Sequence, residues 1–325
     1  MYAGLFDLLK RRSVNDPTVL RLLLLPLLLS AATCDLPLEP NVDELLVDLR
    51  ERAGTLVDVQ EEPARVLGTT RLQKVYLRSS SGLTVAARIR VPEAAGPDDR
   101  RAGAVLVGGV QTGWGATEVL PDSTGQVLIA MQYPEPFHEA ASGRWKGNAT
   151  TFQRAAWDVP AMVMMLAHYL ATRPEVDPRR IVLIGVSFGG FFSPAAAAAD
   201  TTFRNVALMY TGADLRNLAQ ELASTNVEEL PEAFVTLGSD MALLPFARLE
   251  PRLYVGRISP RPVLLVNGLD DKRIPRSSAL ALQRAARSPK DIVWLPTGHL
   301  VPEDTAMVVE LVDTAFARLP LFRNQ

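Results

Sequence analysis

Ser187 stands in Gly185-Val186-Ser187-Phe188-Gly189, directly after the apolar run Ile181-Val182-Leu183-Ile184 and before a stretch of small residues. A serine at a tight strand-to-helix turn is placed for nucleophilic attack, because glycines two before and two after it let strand and helix cross while the hydroxyl projects above the sheet. An incidental turn serine would not need that context. A serine hydroxyl is a weak nucleophile, so it needs a base to take its proton and an anion to hold the base in the right tautomer. The chain has three histidines. His168 lies in a helical apolar segment and reads as structural, His138 sits in a proline-rich loop where it could at most line a pocket, and His299 follows a late strand in Thr297-Gly298-His299-Leu300. Two adjacent carboxylates, Asp270 and Asp271, follow another strand. The chemistry such groups perform together is transfer of an acyl group through a covalent serine intermediate, and it requires no cofactor.

These residues need a scaffold that brings strand ends together. From Leu72 onward, short β-rich runs alternate with helical periods, the pattern of a mostly parallel sheet covered by helices. The spacing predicts eight strands. Gln73–Arg78 and Thr84–Val91 form an antiparallel edge joined by Ser79-Ser80-Ser81-Gly82; Ala104–Val107, Val127–Met131, Ile181–Gly185, Val206–Tyr210, Val263–Asn267 and Asp291–Leu295 are apolar runs of buried type. Helices are expected over Thr151–Thr172, Gly189–Ala199, Arg276–Arg287 and Asp304–Arg318. Residues 214–255, broken by Pro231, Pro245 and Pro251, read as a small helical lid inserted on the sheet. Residues 35–71 are acidic and carry one amphipathic stretch, Val42–Arg52; they read as a tether and a surface helix ahead of a catalytic domain over 72–325.

Over roughly residues 72–320 the chain resembles the α/β-hydrolase superfamily, in particular its dienelactone-hydrolase-like and acyl-peptide-hydrolase-like esterases. The likeness rests on the serine turn, on Arg173-Pro174-Glu175-Val176-Asp177-Pro178-Arg179-Arg180-Ile181 leading into its strand, and on Arg261-Pro262-Val263-Leu264-Leu265-Val266-Asn267-Gly268 leading to the acid. It implies an α/β-hydrolase fold and the chain order Ser, Asp, His. Related sequences place the acid three residues after the glycine and three before an Ile/Val-Pro pair, which selects Asp271 and leaves Asp270 as a turn or capping carboxylate. His299 is then the base. Dienelactone hydrolases use cysteine where this chain has Ser187, so the resemblance implies no dienelactone chemistry. It also implies two oxyanion donors, the N–H groups of Phe188 and of Val110 in Val107-Gly108-Gly109-Val110-Gln111-Thr112-Gly113, with Gln111 the alternative because Gly108 replaces the usual histidine. Trp114, Phe137, Trp145, Phe191 and Phe192 are candidates for the pocket walls, against the plainer reading that aromatics near strand ends are core. Arg144 and Lys146 could bind a substrate carboxylate, or be solvated loop charge.

Composition narrows the remaining choices. With 34 Lys and Arg against 36 Asp and Glu, a net charge of −2 and 6% aromatics, the chain lacks the basic field and stacking faces of a nucleic-acid binder. One cysteine and three histidines build neither a disulfide framework nor a Cys/His zinc site. The run Leu22-Leu-Leu-Leu-Pro-Leu-Leu-Leu29 is too short to span a bilayer and resembles the apolar core of a secretory signal. It leads to Leu29-Ser30-Ala31-Ala32-Thr33-Cys34, which resembles a bacterial lipobox. Residues 1–34 are thus expected to be a signal or lipoprotein leader, with Cys34 as the site of lipidation and membrane attachment. The alternative is a tail on a cytoplasmic enzyme.

The sequence therefore predicts a serine hydrolase that acts on a small-molecule carboxylic ester through Ser187, His299 and Asp271. The same three residues would serve a short-peptide peptidase, a thioesterase or an acyltransferase, since fold does not fix the reaction. A reading of another class is a hydrolase fold kept for ligand binding without catalysis.

Overall fold

The computed structural model describes residues 40–121, 125–142, 144, 146–226 and 244–319. Its strands are β1 Leu56–Glu61, β2 Arg65–Leu67, β3 Thr70–Ser79, β4 Thr84–Pro92, β5 Arg101–Val107, β6 Val127–Met131, β7 Val176–Val186, β8 Asn205–Met209, β9 Val263–Gly268 and β10 Lys290–Leu295. Its helices are α1 Val42–Ala53, α2 Ala116–Val119, α3 Glu135–Ala141, α4 Ala149–Thr172, α5 Ser193–Ala199, α6 Leu215–Asn226, α7 Arg276–Ala285 and α8 Thr305–Arg318. Among the described residues ten strands make one sheet in the order β1-β3-β4-β6-β5-β7-β8-β9-β10, with β2 paired to β3. From β6 to β10 neighbouring strands run parallel, whereas β4 meets β6, and β3 meets β4, antiparallel. This is the α/β-hydrolase fold.

The eight expected strands are all present, but the count of eight is corrected to ten. The two additions come from the segment expected to be a tether. β1 and β2 pair antiparallel with β3 at the sheet edge. They escape a hydrophobic reading because an edge strand has little to bury: Val57, Val59 and Val66 are all exposed. The amphipathic stretch ahead of them does form a helix, α1, which buries Leu46, Leu49 and Ala53 in the main core. Asp48 accepts a hydrogen bond from Trp157 Nε1 and Arg52 pairs with Asp158, both partners on α4, so α1 is clasped to the domain.

Alternate residues of the central strands face opposite layers, as the period-two pleat requires. Val105, Ile129, Leu183 and Val206 face a core shared with α1, α4 and α5. Val182, Ala207, Met209 and Leu264 face Leu311 and Ala315 of α8, while Ala104, Leu106, Leu128 and Ala130 lie under Ala116 and Leu120. The two faces are covered unequally. α4 has 24 residues, whereas α2, in the connection from β5 to β6, has four.

Residues 214–255, the expected lid, carry α6 and the 3₁₀ turns Leu244–Leu249 and Pro251–Leu253, and a third turn, Val255–Arg257, begins at their end; residues 227–243 lie outside the described ones. Glu250 joins the two ends of the insertion, accepting from the N–H groups of Asp214 at 2.9 Å and Leu215 at 2.8 Å. A carboxylate at the first turn of α6 is also favoured by the helix dipole. Among the described residues no helix is long and apolar enough to cross a membrane.

Candidate active site

β7 is a central strand of the sheet, between β5 and β8, and Ser187 follows it directly. The backbone of Ser187 has φ +53°, in the left-handed region that costs a non-glycine residue roughly 1–3 kcal/mol. Surrounding contacts hold it there. The next residues form a 3₁₀ turn, Ser187–Phe191, where the sequence had suggested regular helix from Gly189, and α5 follows with every residue buried. Small side chains permit this closeness. A methyl group on Gly185 would overlap Ser193, one on Gly190 would sit 2.5 Å from Thr211 Cβ, and one on Gly189 would overlap the Val107 carbonyl. The last contact ties the serine turn to the loop after β5. Gly189→Ala must therefore push turn and loop apart, and since displacements of about 1 Å at a reacting centre cost on the order of 100-fold, turnover should fall at least that far. Ester hydrolysis by purified Gly189→Ala protein checks this, and activity near that of the unaltered chain would refute the coupling.

Two more strand ends supply the partners. Gly268, closing β9, fits beneath the Thr297 carbonyl, and the loops after β9 and β10 are joined by bonds from Leu269 N–H to Leu295 O at 2.8 Å and from Asp270 N–H to Thr297 O at 3.0 Å. Across this junction Ser187 Oγ lies 2.7 Å from His299 Nε2, and His299 Nδ1 lies 2.8 Å from Asp271 Oδ2. A carboxylate only accepts, so Nδ1 carries the proton and Nε2 is free to accept from the serine. The Asp271 side chain is 1% exposed and that of His299 9%. The other Asp271 oxygen accepts from the N–H groups of Arg273 at 2.8 Å and Ile274 at 3.0 Å, which fix the carboxylate's orientation toward His299. Asp270 is exposed, and no hydrogen bond or ion pair joins its carboxylate to His299.

The remaining sequence candidates divide cleanly. Val110, Gln111 and Phe188 all line a cavity of about 520 Å³ that opens at Ser187 and His299. Tyr133 OH donates to the Gly108 carbonyl at 2.7 Å and Gly113 N–H donates to Gly109 O at 2.9 Å, fixing the loop that carries Val110 and Gln111. Of the nominated aromatics, the four within the described residues, Trp114, Phe137, Phe191 and Phe192, do not line the cavity. Phe137 and Phe192 are buried core residues, packed with Tyr133, Phe152, Phe188 and Phe246. Phe191 packs beside Leu215 and Leu218 of α6. Trp114 instead takes Arg88 and Lys74 over its ring face. His138 bonds to Gln132 rather than lining the cavity, and His168 pairs with Asp200 at 2.8 Å, in the structural role expected of it. Burial pushes the Asp200 carboxyl up, but the His168 bond and the Thr202 N–H together hold it net below the usual carboxylate range. Arg144 and Lys146 are exposed. Trp145 and Cys34 lie outside the described residues.

Some site features had no sequence signal. The Tyr210 ring stands edge-on to His299, with centroids 5.9 Å apart, and its hydroxyl bonds to Thr297 Oγ1 at 2.8 Å. Burial raises the Tyr210 and Tyr133 hydroxyls above the ordinary phenol value, so both stay protonated donors or partners at neutral pH. The cavity walls are largely aliphatic and come from β5, β6, β7 and α8.

Comparison with known proteins agrees with this architecture. The model of the prolyl oligopeptidase family matches residues 130–296, half of the chain, a span that includes Ser187 and Asp271 and ends just before His299. The uncharacterized protein YfhR of Escherichia coli K12 is 23% identical over 216 residues, which cover 64% of this chain and 66% of YfhR, so the match falls short of two thirds of that relative. Among solved structures, an acetyl xylan esterase from Paenibacillus sp. R4 superposes with a TM-score of 0.63 at 16% identity, covering 86% of this chain and 96% of the esterase. Acetyl xylan esterase 1 from Thermoanaerobacterium sp. JW/SL YS485 gives 0.61 at 18% identity, covering 85% and 93%.

Proposed function

The chain belongs to the prolyl oligopeptidase family of hydrolases, and from that premise we propose that it is a serine hydrolase whose preferred substrates are carboxylic esters. The observation that carries this reading is the continuous hydrogen-bonded chain from Ser187 through His299 to Asp271, with contacts of 2.7 and 2.8 Å. Ser187 Oγ attacks the acyl carbonyl as His299 Nε2 takes its proton, and Asp271 stabilises the imidazolium that results. The N–H groups of Phe188 and Val110 receive the developing oxyanion. His299 then delivers the proton to the departing alkoxide, leaving the acyl group on Ser187. Water attacks that ester with His299 again as base, and the free acid leaves.

Preference for esters over peptides follows from the cavity. A peptide brings amide groups that need partners at every residue, and each one buried without a partner costs several kcal/mol, roughly 2–7. An aliphatic wall provides few such partners, whereas an ester brings one carbonyl, to the place where the donors are.

The test is an active-site-directed fluorophosphonate with adduct mapping by mass spectrometry, run beside turnover of p-nitrophenyl acetate and of a peptide p-nitroanilide. The expected outcome is a single adduct on Ser187 and ester turnover exceeding amide turnover at least about 100-fold in kcat/KM. A folded protein with no adduct on Ser187 would overturn the hydrolase reading. Amide turnover above ester turnover would make the protein a peptidase.

A further inference from the structure

We propose that Tyr210 is a positioning residue that keeps His299 aimed once Ser187 is acylated, so that release of the acyl group depends on it more than capture does; this rests on the serine-hydrolase reading given above.

The backbone of Tyr210 singles it out. Val186 of β7 pairs with Met209 of β8, and the residues that follow them, Ser187 and Tyr210, have φ +53° and +50°. Two neighbouring parallel strands thus end in the same left-handed turn. A bulky residue keeps that conformation only where its surroundings enforce it, and such residues gather where a side chain must be held in one place. The Tyr210 N–H donates to the Val266 carbonyl of β9 at 2.7 Å, which fixes the turn. The turn after β7 presents the nucleophile; the turn after β8 presents a buried aromatic ring to the loop that carries His299.

That ring meets the loop at two points. It stands edge-on to the His299 imidazole, with centroids 5.9 Å apart and planes inclined at 76°, and its hydroxyl lies 2.8 Å from Thr297 Oγ1, two residues earlier. Gly268 leaves room for it, since a methyl group there would stand 3.2 Å from Tyr210 Cε1. Thr297 is gripped from its main chain as well, its carbonyl accepting from the Asp270 N–H at 3.0 Å. Leu300, the residue after His299, packs on the same buried cluster as Tyr210. Neither contact of Tyr210 uses an imidazole nitrogen, so both nitrogens stay with Ser187 and Asp271.

The reaction removes one of the two bonds on the imidazole. In the free protein Nε2 is 2.7 Å from Ser187 Oγ and Nδ1 is 2.8 Å from Asp271 Oδ2. Attack moves the Ser187 proton to Nε2, and that proton then departs with the alcohol. Ser187 Oγ is now an ester oxygen with no proton to donate, and the imidazole keeps only its bond to Asp271. A ring held at one nitrogen can pivot there and carry Nε2 away from the water whose proton it must take. The Tyr210 contacts include no reacting atom and persist through both steps. They supply the restraint that Ser187 has ceased to supply, and a general base needs it, because it acts only within hydrogen-bond reach and within about 10–20° of the productive orientation.

The experiment mixes the full chain with saturating p-nitrophenyl acetate, quenches it in acid at steady state and reads acetyl on Ser187 by mass spectrometry, beside kcat. The ratio of acetylated to free Ser187 equals the rate constant of acylation divided by that of deacylation, and kcat then yields each one. In Tyr210→Phe, which keeps the ring and loses the hydroxyl, the ratio should rise about tenfold as deacylation slows, with acylation within about twofold of the unaltered protein. Thr297→Val, at a half-buried position, should do the same, and the double variant no more than either single one, because both remove one bond. A structural defect cannot imitate this, since unfolded molecules add unacetylated Ser187 and lower the ratio. Tyr254→Phe, which takes an equally buried hydroxyl from the Arg248 carbonyl, should leave the ratio unchanged. An unchanged or lowered ratio in Tyr210→Phe and Thr297→Val, additive losses in the double variant, or the same rise in Tyr254→Phe would overturn the proposal. Absence of acetyl from Ser187 in every variant overturns it too. The fluorophosphonate adduct on Ser187 then tells whether the hydrolase reading survives, so the two fail separately.

Discussion

Ser187→Ala should reduce kcat for the best ester by about a millionfold, to the level that substrate binding and oxyanion stabilisation supply without a nucleophile. In the proposed reaction the side chain removed is the one that forms the covalent bond. His299, deprived of its partner at 2.7 Å, has nothing to deprotonate except water, which is neither held nor aimed at the carbonyl. The change leaves the surroundings alone. Alanine keeps the Cβ at φ +53°, so the strain of the turn and its contact with the Val107 carbonyl persist. Thermal unfolding should therefore shift by no more than the few degrees that a change of about 1 kcal/mol produces. Stopped turnover with an unchanged melting temperature is the expected pair of results. Retention of more than a hundredth of the activity would mean that another group is the nucleophile.

Asp271→Asn should cost about ten-thousandfold in kcat, and the local hydrogen bonds say why. One Asp271 oxygen is engaged by the N–H groups of Arg273 and Ile274, and the other receives His299 Nδ1–H. Asparagine has only one oxygen. Two backbone donors compete for it, which turns the amide NH₂ toward His299. The ring then accepts at Nδ1 and carries its proton on Nε2, the tautomer that cannot take a proton from Ser187. Asp270→Asn changes an exposed carboxylate that makes no hydrogen bond or ion pair to His299 and should leave kcat within about twofold, as surface substitutions generally do. Steady-state kinetics of the two variants side by side check both statements. Equal losses would remove Asp271 from its assigned role.

Local signals carried the sequence reading furthest. The serine turn is legible because its glycines and flanking apolar strand lie within one short window, and His299 because it follows the last strand. The choice between Asp270 and Asp271 was not local. It depends on how the loop after β9 folds back on the loop after β10, and only the resemblance to related chains selected Asp271. β1 and β2 escaped notice because solvent-facing edge strands bear charge as readily as hydrocarbon. The pocket walls were not legible for a different reason. An apolar run shows that a side chain leaves water, but not whether it meets another side chain or a void. Phe137 and Phe192 meet neighbours, while Ile184, which carries no distinctive signal, borders the cavity.

The contact between Gly189 and the Val107 carbonyl separates what can be re-engineered in this enzyme from what cannot. It joins the nucleophile turn and the loop of Val110 through main chain against main chain, so the reacting geometry does not depend on side-chain identity in the walls. Substitutions on α8 or along β5 and β6 would reshape the cavity while the proposed attack geometry stays constant. A library confined to those walls would explore substrate range on a fixed reaction centre, and a substitution at Gly189 would change the centre itself.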